Sequence, residues 1–308
     1  MDDQRVSGLQ QEVQHLQAQV RAMELAGGSH ALGHFYSPVP STDDIESRIN
    51  QVRQMDVPRL LPEIDLGVER QLAFLDKIKE AIGAEILFPE QRTDDFRYYF
   101  ENTQYGYNDA IMLHGILRLL RPKRLIEVGS GFSSALVMDT NDRYLDGSLS
   151  CTFIEPYTER LDAILRDSDR QRYKILQSKV QDVDPAVFAS LAASDVLFID
   201  SSHVVKYGSD LEYLLRVVLP LLAPGVFIHF HDIFYPFEYP EPWIRGGHFW
   251  NECYMLRAFM ANNVSYRIEL FTDYIAHFYR DNLGAVSPLC LKNTGANLWL
   301  SKTASTVA

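Results

Sequence analysis

The sequence predicts an α/β protein with a doubly wound, mostly parallel sheet, preceded by a short coiled-coil helix and a helical lead-in. Two observations carry this expectation. From Asn108 onward, short apolar runs alternate with helix-like segments, and the stretch Arg124 to Ser134 reads as a buried strand that turns through two spaced glycines into a helix. Leu125, Ile126 and Val128 suit a parallel strand covered on both faces. Gly129 and Gly131, with Ser130 between them, let the backbone turn tightly and approach a ligand. A helix opening near Phe132 would aim free N–H groups at that ligand.

Residues 1–27 carry a heptad pattern: Val6, Leu9, Val13, Leu16, Val20 and Met23 recur at alternating spacings of three and four, until Gly27-Gly28 stops it. Valine at a with leucine at d favours a parallel dimer, and the weak e/g charge pattern favours a second copy of this chain over a foreign partner. A solitary amphipathic helix packed on its own domain is the alternative. Residues 28–100 form the helical lead-in, with helical stretches around 43–55 and 66–82 punctuated by prolines. Residues 101–308 form the main domain. A helix to Leu120 ends at Arg121-Pro122, and strands are expected at 124–128, 151–154, 173–176, 196–199 and 226–230. Helices should start near Ser133 and Thr158, and Ser209-Asp-Leu-Glu212 is a capping box whose helix stops at Ala223-Pro-Gly225. Two later apolar runs, 266–271 and 297–301, would close the sheet.

The formal charge of -12 argues against nucleic acid as a partner, because that affinity comes from Lys and Arg displacing counterions. Cys151, Cys253 and Cys290 are widely spaced and odd in number, so neither a disulfide framework nor a thiolate zinc site is suggested, and a reducing, cytoplasmic setting is expected. No apolar run approaches a membrane span.

Ligands of open α/β sheets bind outside the carboxyl ends of the strands, so those ends carry the functional reading. A dinucleotide loop needs a third glycine where Ser134 stands, and Glu127 at the strand tip would repel a diphosphate while accepting hydrogen bonds from an ammonium group. A cationic ligand is favoured. Glu155, about twenty residues beyond the glycine turn, can accept both hydroxyls of a ribose, with Pro156 and Tyr157 flanking the base. Asp182 is either a base-contacting acid or a solvated loop acid. The fourth strand delivers Asp200 and, three residues on, His203; the fifth ends His229-Phe-His231-Asp232. Two or three such groups plus water would bind Mg²⁺ or a similar cation, or these acids simply cap turns.

At Glu127-Val-Gly-Ser-Gly131 and at these strand tips the chain resembles the class I S-adenosylmethionine-dependent methyltransferases of the Methyltransf_24 group. The fourth-strand tip is similar to that of macrolide sugar O-methyltransferases, which carry an Asp-x-x-His motif and an acidic pair after strand five. The resemblance implies a seven-stranded sheet closed by an antiparallel last pair, with cofactor contacts at Glu127, Gly129, Ser130, Gly131, Glu155, Pro156, Asp182 and Asp200. It further implies His203 as general base, and Asp200 orienting it or sharing a divalent metal with Asp232. His231 stands where the first acid of the pair belongs and so would ligate a softer metal, bind the acceptor or mark a metal-independent site. The segment Tyr105 to Asp109 resembles one that lies against the methionine end of the cofactor, although Asp109 as a helix N-cap is the simpler account. The aromatic, proline-rich run 233–250 should wall the acceptor pocket or pack a dimer interface.

The function expected from these residues is methyl transfer to a hydroxyl, of a small molecule, sugar or glycoconjugate. Two other readings stay open. His229, His231 and Asp232 are the residue types of a non-haem Fe(II) oxygenase, though strand alternation separates them. The other is a coiled-coil assembly factor whose methyltransferase fold has lost catalysis.

Overall fold

The computed structural model describes residues 12–21, 30–83 and 88–303. These fall into two compact units, one from the described parts of Met1–Val57 with Pro240–Phe249, the other from those of Pro58–Tyr239 with Trp250–Ala308. The smaller unit holds a helix over 12–21 and a second helix, Thr42–Arg53, opened by a capping box in which Ser41 and Asp44 satisfy each other's backbone N–H groups. Within this unit Arg245 grips Glu46 with two donors (2.5 and 3.1 Å), and Arg53 binds Glu241 in the same way (2.6 and 2.9 Å). Val13, Leu16 and Val20 of the first helix are half exposed on one stripe. Val6, Leu9 and Met23 of the expected heptads lie outside the described residues.

The larger unit is built on a seven-stranded sheet, in the order β3-β2-β1-β4-β5-β7-β6. The strands are β1 (Arg124–Val128), β2 (Ser150–Ile154), β3 (Lys174–Leu176), β4 (Val196–Ile199), β5 (Phe227–Phe230), β6 (Tyr266–Phe271) and β7 (Leu298–Lys302). β1 to β5 are parallel, and β7 enters antiparallel between β5 and β6. Every residue of β4 is buried, which suits a central parallel strand and contributes about 1.5–3 kcal/mol per large side chain. Such a strand needs helices on both faces.

The helix Tyr107–Leu120 is buried from Tyr107 through Leu117, apolar almost all round, and it packs between Val68–Ile82 and Phe132–Tyr144. Gly115 permits the first of these contacts: a Cβ there would stand 2.6 Å from Ile78 Cγ2. The observed N-cap is Gly106, not Asp109, which sits one turn inside and accepts from the Ala296 backbone N–H. The cap expectation failed because a buried acid found a tertiary partner first. Ser209 is the N-cap, its side chain accepting from the Glu212 N–H (3.2 Å), but the reciprocal half of the expected box is not formed, because the Ser209 N–H donates to the Lys206 carbonyl (3.0 Å); the following helix widens to a π turn over Leu214–Val218 and ends at Leu221. The expected helix after Thr158 is only one turn, Glu159–Asp162.

One buried polar cluster braces the lead-in against the helix after β1. Arg97 spreads its guanidinium over Asp139 (2.8 Å), Asp142 (2.8 Å) and Asp169 (2.6 and 2.8 Å), while the Arg97 and Tyr98 N–H groups both donate to Asp139. Removing the cation leaves carboxylates buried without compensation. Arg97→Met should therefore lower stability by about 3–5 kcal/mol in urea unfolding, and adding Asp139→Asn should recover part of the loss.

Candidate active site at the strand tips

The site begins where β1 meets β4. Gly129 has φ +85°, and a Cβ on it would lie 1.7 Å from the carbonyl oxygen of Asp200, so no other residue fits beneath the tip of β4. Gly131, by contrast, has extended φ near -178°. Glu127 is fully buried, and both of its oxygens are engaged: Ser133 Oγ donates at 2.5 Å and Ser134 Oγ at 2.9 Å. Ser134 Oγ in turn accepts from the Gly131 N–H (3.1 Å). Glu127 thus ties the glycine turn to the first turn of its helix. Burial pushes its carboxyl up to about 8, against the two serine hydrogen bonds and with help from Asp200 and Glu155.

Two neighbouring cavities, about 470 and 320 Å³, open here and share Gly129, Glu155, Asp200, Ser201 and Ser202. The larger is flanked by Ile154, Pro156, Tyr157 and Val180, with Glu155 at its rim accepting from the Ser130 and Tyr157 N–H groups (3.1 and 2.8 Å). Gln181 lines it, whereas Asp182 is exposed in the adjoining turn and is not among its walls. The smaller adds Tyr105, Arg160, His203, His231, Asp232 and Trp250. Ser130 Oγ and Ser201 Oγ are buried beside these spaces without a hydrogen-bond partner among the described residues. Orphaned hydroxyls at a cavity wall, a turn that excludes any Cβ and a strand-tip carboxylate together fit a nucleoside with a polar tail.

The acids and imidazoles at the tips of β4 and β5 converge. His203 Nε2 lies 3.4 Å from Asp200 Oδ1 and 3.9 Å from Asp232 Oδ2, and one donor atom from each of the three lies within 4.8 Å of the others. His231 stands beside them, its Nε2 3.5 Å from Asp232 Oδ1. His203 and Asp232 both hold left-handed backbone (φ +58° and +57°), conformations that persist only where surroundings over-determine them. Burial works against a charged His203, but its hydrogen bonds to Asp200 and Glu252 outweigh it and push the imidazole well above its usual range. For His231, burial is likewise overcome by Asp232, Asp200 and Asp109, which raise it to about 9. Asp200 is held low: His231, His203 and Arg160 outweigh its own burial. Asp109 rises to about 6, chiefly through burial.

His229 is elsewhere. Its ring stacks on Phe198 (4.1 Å) and leans on Trp299 (4.6 Å), and neither ring nitrogen has a hydrogen-bond partner among the described residues, so the pairing of His229 with His231 and Asp232 that an oxygenase site requires is not formed. One residue at the site, Glu252, escaped the sequence reading, whereas Trp250 ends the aromatic run expected to wall the pocket. Trp250 stacks on the His203 ring (4.2 Å, 26° between planes), and Glu252 Oε2 lies 2.7 Å from His203 Nδ1. Both lie about fifty positions from the histidine. The aromatic run expected to wall the pocket divides: Ile233, Tyr235, Phe237 and Tyr239 are buried in the larger unit, 240–249 belongs to the smaller, and Trp250 lines the cavity.

A parallel sheet with one antiparallel strand inserted beside its last member, and a cleft over the tips of β1, β2 and β4, is the arrangement of the class I S-adenosylmethionine-dependent methyltransferases. Residues 126–233 match the Methyltransf_24 methyltransferase domain. The chain is 32% identical over 165 residues to an uncharacterized protein of Archaeoglobus fulgidus, a match spanning 52% of this chain and 72% of the relative. It belongs to this methyltransferase family. Among solved structures it is similar to a putative O-methyltransferase from Klebsiella pneumoniae (TM-score 0.42, 14% identity, 85% of this chain and 97% of that one). It is also similar to the O-methyltransferase TomG from Streptomyces achromogenes, solved with S-adenosylmethionine (TM-score 0.41, 13% identity, 75% and 90%).

The protonated state of Glu127 has a measurable sign. Its carboxyl would ionise near 4.5 in the unfolded chain and near 8 in the folded one, so the folded state holds the extra proton between those values. That contribution to stability is complete below pH 4.5 and lost as pH rises through 8. Glu127→Gln should flatten the slope: its melting temperature should gain on the wild type as pH is raised from 5 to 9, and parallel curves would refute the buried neutral carboxyl.

Proposed function

We propose that this methyltransferase is an O-methyltransferase whose acceptor is a hydroxyl of a sugar or glycoconjugate, with His203 as the general base. The observation that carries the proposal is the convergence of His203 Nε2 with Asp200 and Asp232 at the edge of the cofactor cleft. When bound, S-adenosylmethionine supplies a sulfonium methyl group that is displaced in line. Glu155 receives the ribose hydroxyls, already oriented by the Ser130 and Tyr157 N–H groups, and Pro156 with Tyr157 flanks the base. Ser130 and Gly131 line the space for the methionine end, and Glu127 holds their turn from below. Asp182 stays in this reading at most as a partner at the mouth of the adenine space.

Proton removal falls to the neutral form of His203, with Nε2 unprotonated, and the carboxylates that favour its protonation make that nitrogen the stronger base. An aliphatic hydroxyl is a very weak acid, so it needs both a positioned base and a nearby positive charge. Asp200 and Asp232, with His231 as a nitrogen donor, would hold a divalent cation that lowers the pKa of the hydroxyl. Mg²⁺ suits the two carboxylates, and an imidazole donor suits a softer ion. Trp250 and Tyr105 give the cavity aromatic walls that suit the apolar face of a sugar ring.

The rest of the proposal concerns assembly. A second copy of this chain would cover Val13, Leu16 and Val20, which are each about half exposed (50–54%) at heptad spacing. The three cysteines are buried and free, which supports work in a reducing compartment such as the cytoplasm. Among the described residues no helix is long and apolar enough to cross a membrane.

Asp200→Ala and His203→Ala should abolish transfer from isotopically labelled cofactor to extract acceptors while S-adenosylhomocysteine affinity in calorimetry changes less than about tenfold. Retained transfer in both variants would overturn the assignment, and a parallel incubation with chelator reads metal dependence. Leu16→Asp should shift the protein from dimer to monomer in sedimentation analysis, and an unchanged mass would remove the coiled-coil proposal.

A further inference from the structure

We infer that Glu252 is the positioning residue of His203: its carboxylate takes the proton on Nδ1 and so presents Nε2 to Asp200, Asp232 and the acceptor. The inference rests on the reading of His203 as the working imidazole. An acid in the first turn of a helix is ordinary, because it meets the positive end of the helix dipole in water. Glu252 is different. It opens the helix Glu252–Met260 yet is 1% exposed, and its Oε2 sits 2.7 Å from His203 Nδ1. Its other oxygen, Oε1, is buried with no partner among the described residues. A carboxylate taken out of water with one oxygen unsatisfied is costly, and the imidazole N–H is the one compensation described for it.

The residues around Glu252 act on the same histidine. The Asn251 and Glu252 N–H groups both donate to the His203 carbonyl (3.1 and 3.2 Å), which holds the strained left-handed backbone at that position. Asn251 brackets the next turn of the loop, accepting from the Val205 N–H (2.6 Å) and donating to the Val205 carbonyl (3.1 Å). Trp250 covers one face of the ring at 4.2 Å. Three consecutive residues therefore fix the backbone, the ring plane and the ring edge of His203. The ring cannot flip without exchanging a 2.7 Å contact for the longer ones that Asp200 and Asp232 offer to Nε2. An imidazole with one nitrogen tied to a carboxylate has its free nitrogen determined, which is how buried carboxylates orient catalytic histidines in unrelated folds.

The test is spectroscopic and needs no cofactor. Nitrogen-15 histidine-labelled full-length protein should show an exchange-protected, far-downfield imidazole N–H resonance that is absent in His203→Ala. The resonance should vanish or move strongly upfield in Glu252→Gln and persist, shifted, in Glu252→Asp, with S-adenosylhomocysteine affinity unchanged in both. Its absence from the wild type, or its survival in Glu252→Gln, overturns the inference even if a variant folds poorly. With labelled cofactor and extract acceptor, Glu252→Gln should lose about 100-fold in rate at saturating cofactor with Glu252→Asp recovering part of it, the lower end of what a positioned base contributes. Equal rates would also overturn it. No transfer by the wild type would instead count against the proposed function, leaving the resonance to decide the role of Glu252.

Discussion

The site depends on one close approach, between the glycine turn after β1 and the tip of β4. The Asp200 carbonyl occupies the place where a side chain on Gly129 would be, so the two parallel strands can end side by side with nothing between them. That contact sets the floor shared by both cavities. It also puts Asp200, the first residue past β4, within reach of the tips of β1 and β5. Glu127 then secures the turn by holding two serine hydroxyls of the next helix, one of which accepts from the Gly131 N–H, a bond pattern that costs a buried carboxyl.

Charge follows the same geometry. The smaller cavity is lined by Glu155, Asp200 and Asp232, with Asp109 and Glu252 buried close behind, against two imidazoles and Arg160. Acids dominate, so the imidazoles are drawn to hold protons, and an entering positive charge meets a prepared field. This local excess matches the chain as a whole, whose net charge is -12. It suits a sulfonium or a divalent cation and opposes a diphosphate.

His203 is held by parts of the chain that are distant in sequence. His203 lies just past β4, while Trp250, Asn251 and Glu252 arrive after the chain has left for the smaller unit and returned. Two residues with positive φ, His203 and Asp232, face each other across this loop, and their strain is sustained by hydrogen bonds from that returning segment and by packing of the strand tips.

Much of this was legible in the residues themselves. The order of strands and helices, the glycine turn, the acid at the tip of β2 and the Asp200–His203 pair follow from local patterns, because burial of a parallel strand, capping and tight turns each impose their own residue types. The Ser209 cap was read correctly for the same reason. What only the tertiary structure decided were partners: Asp109 met the Ala296 N–H instead of capping its helix, Glu127 met two serines, and His229 turned into the core against Phe198 and Trp299. Glu252 gave no local signal at all, since a glutamate opening a helix is ordinary until its surroundings are known. A side chain's type is written in the chain, but the partner that sets its charge and direction comes from whichever segment folds against it, and sequence spacing carries no measure of that distance.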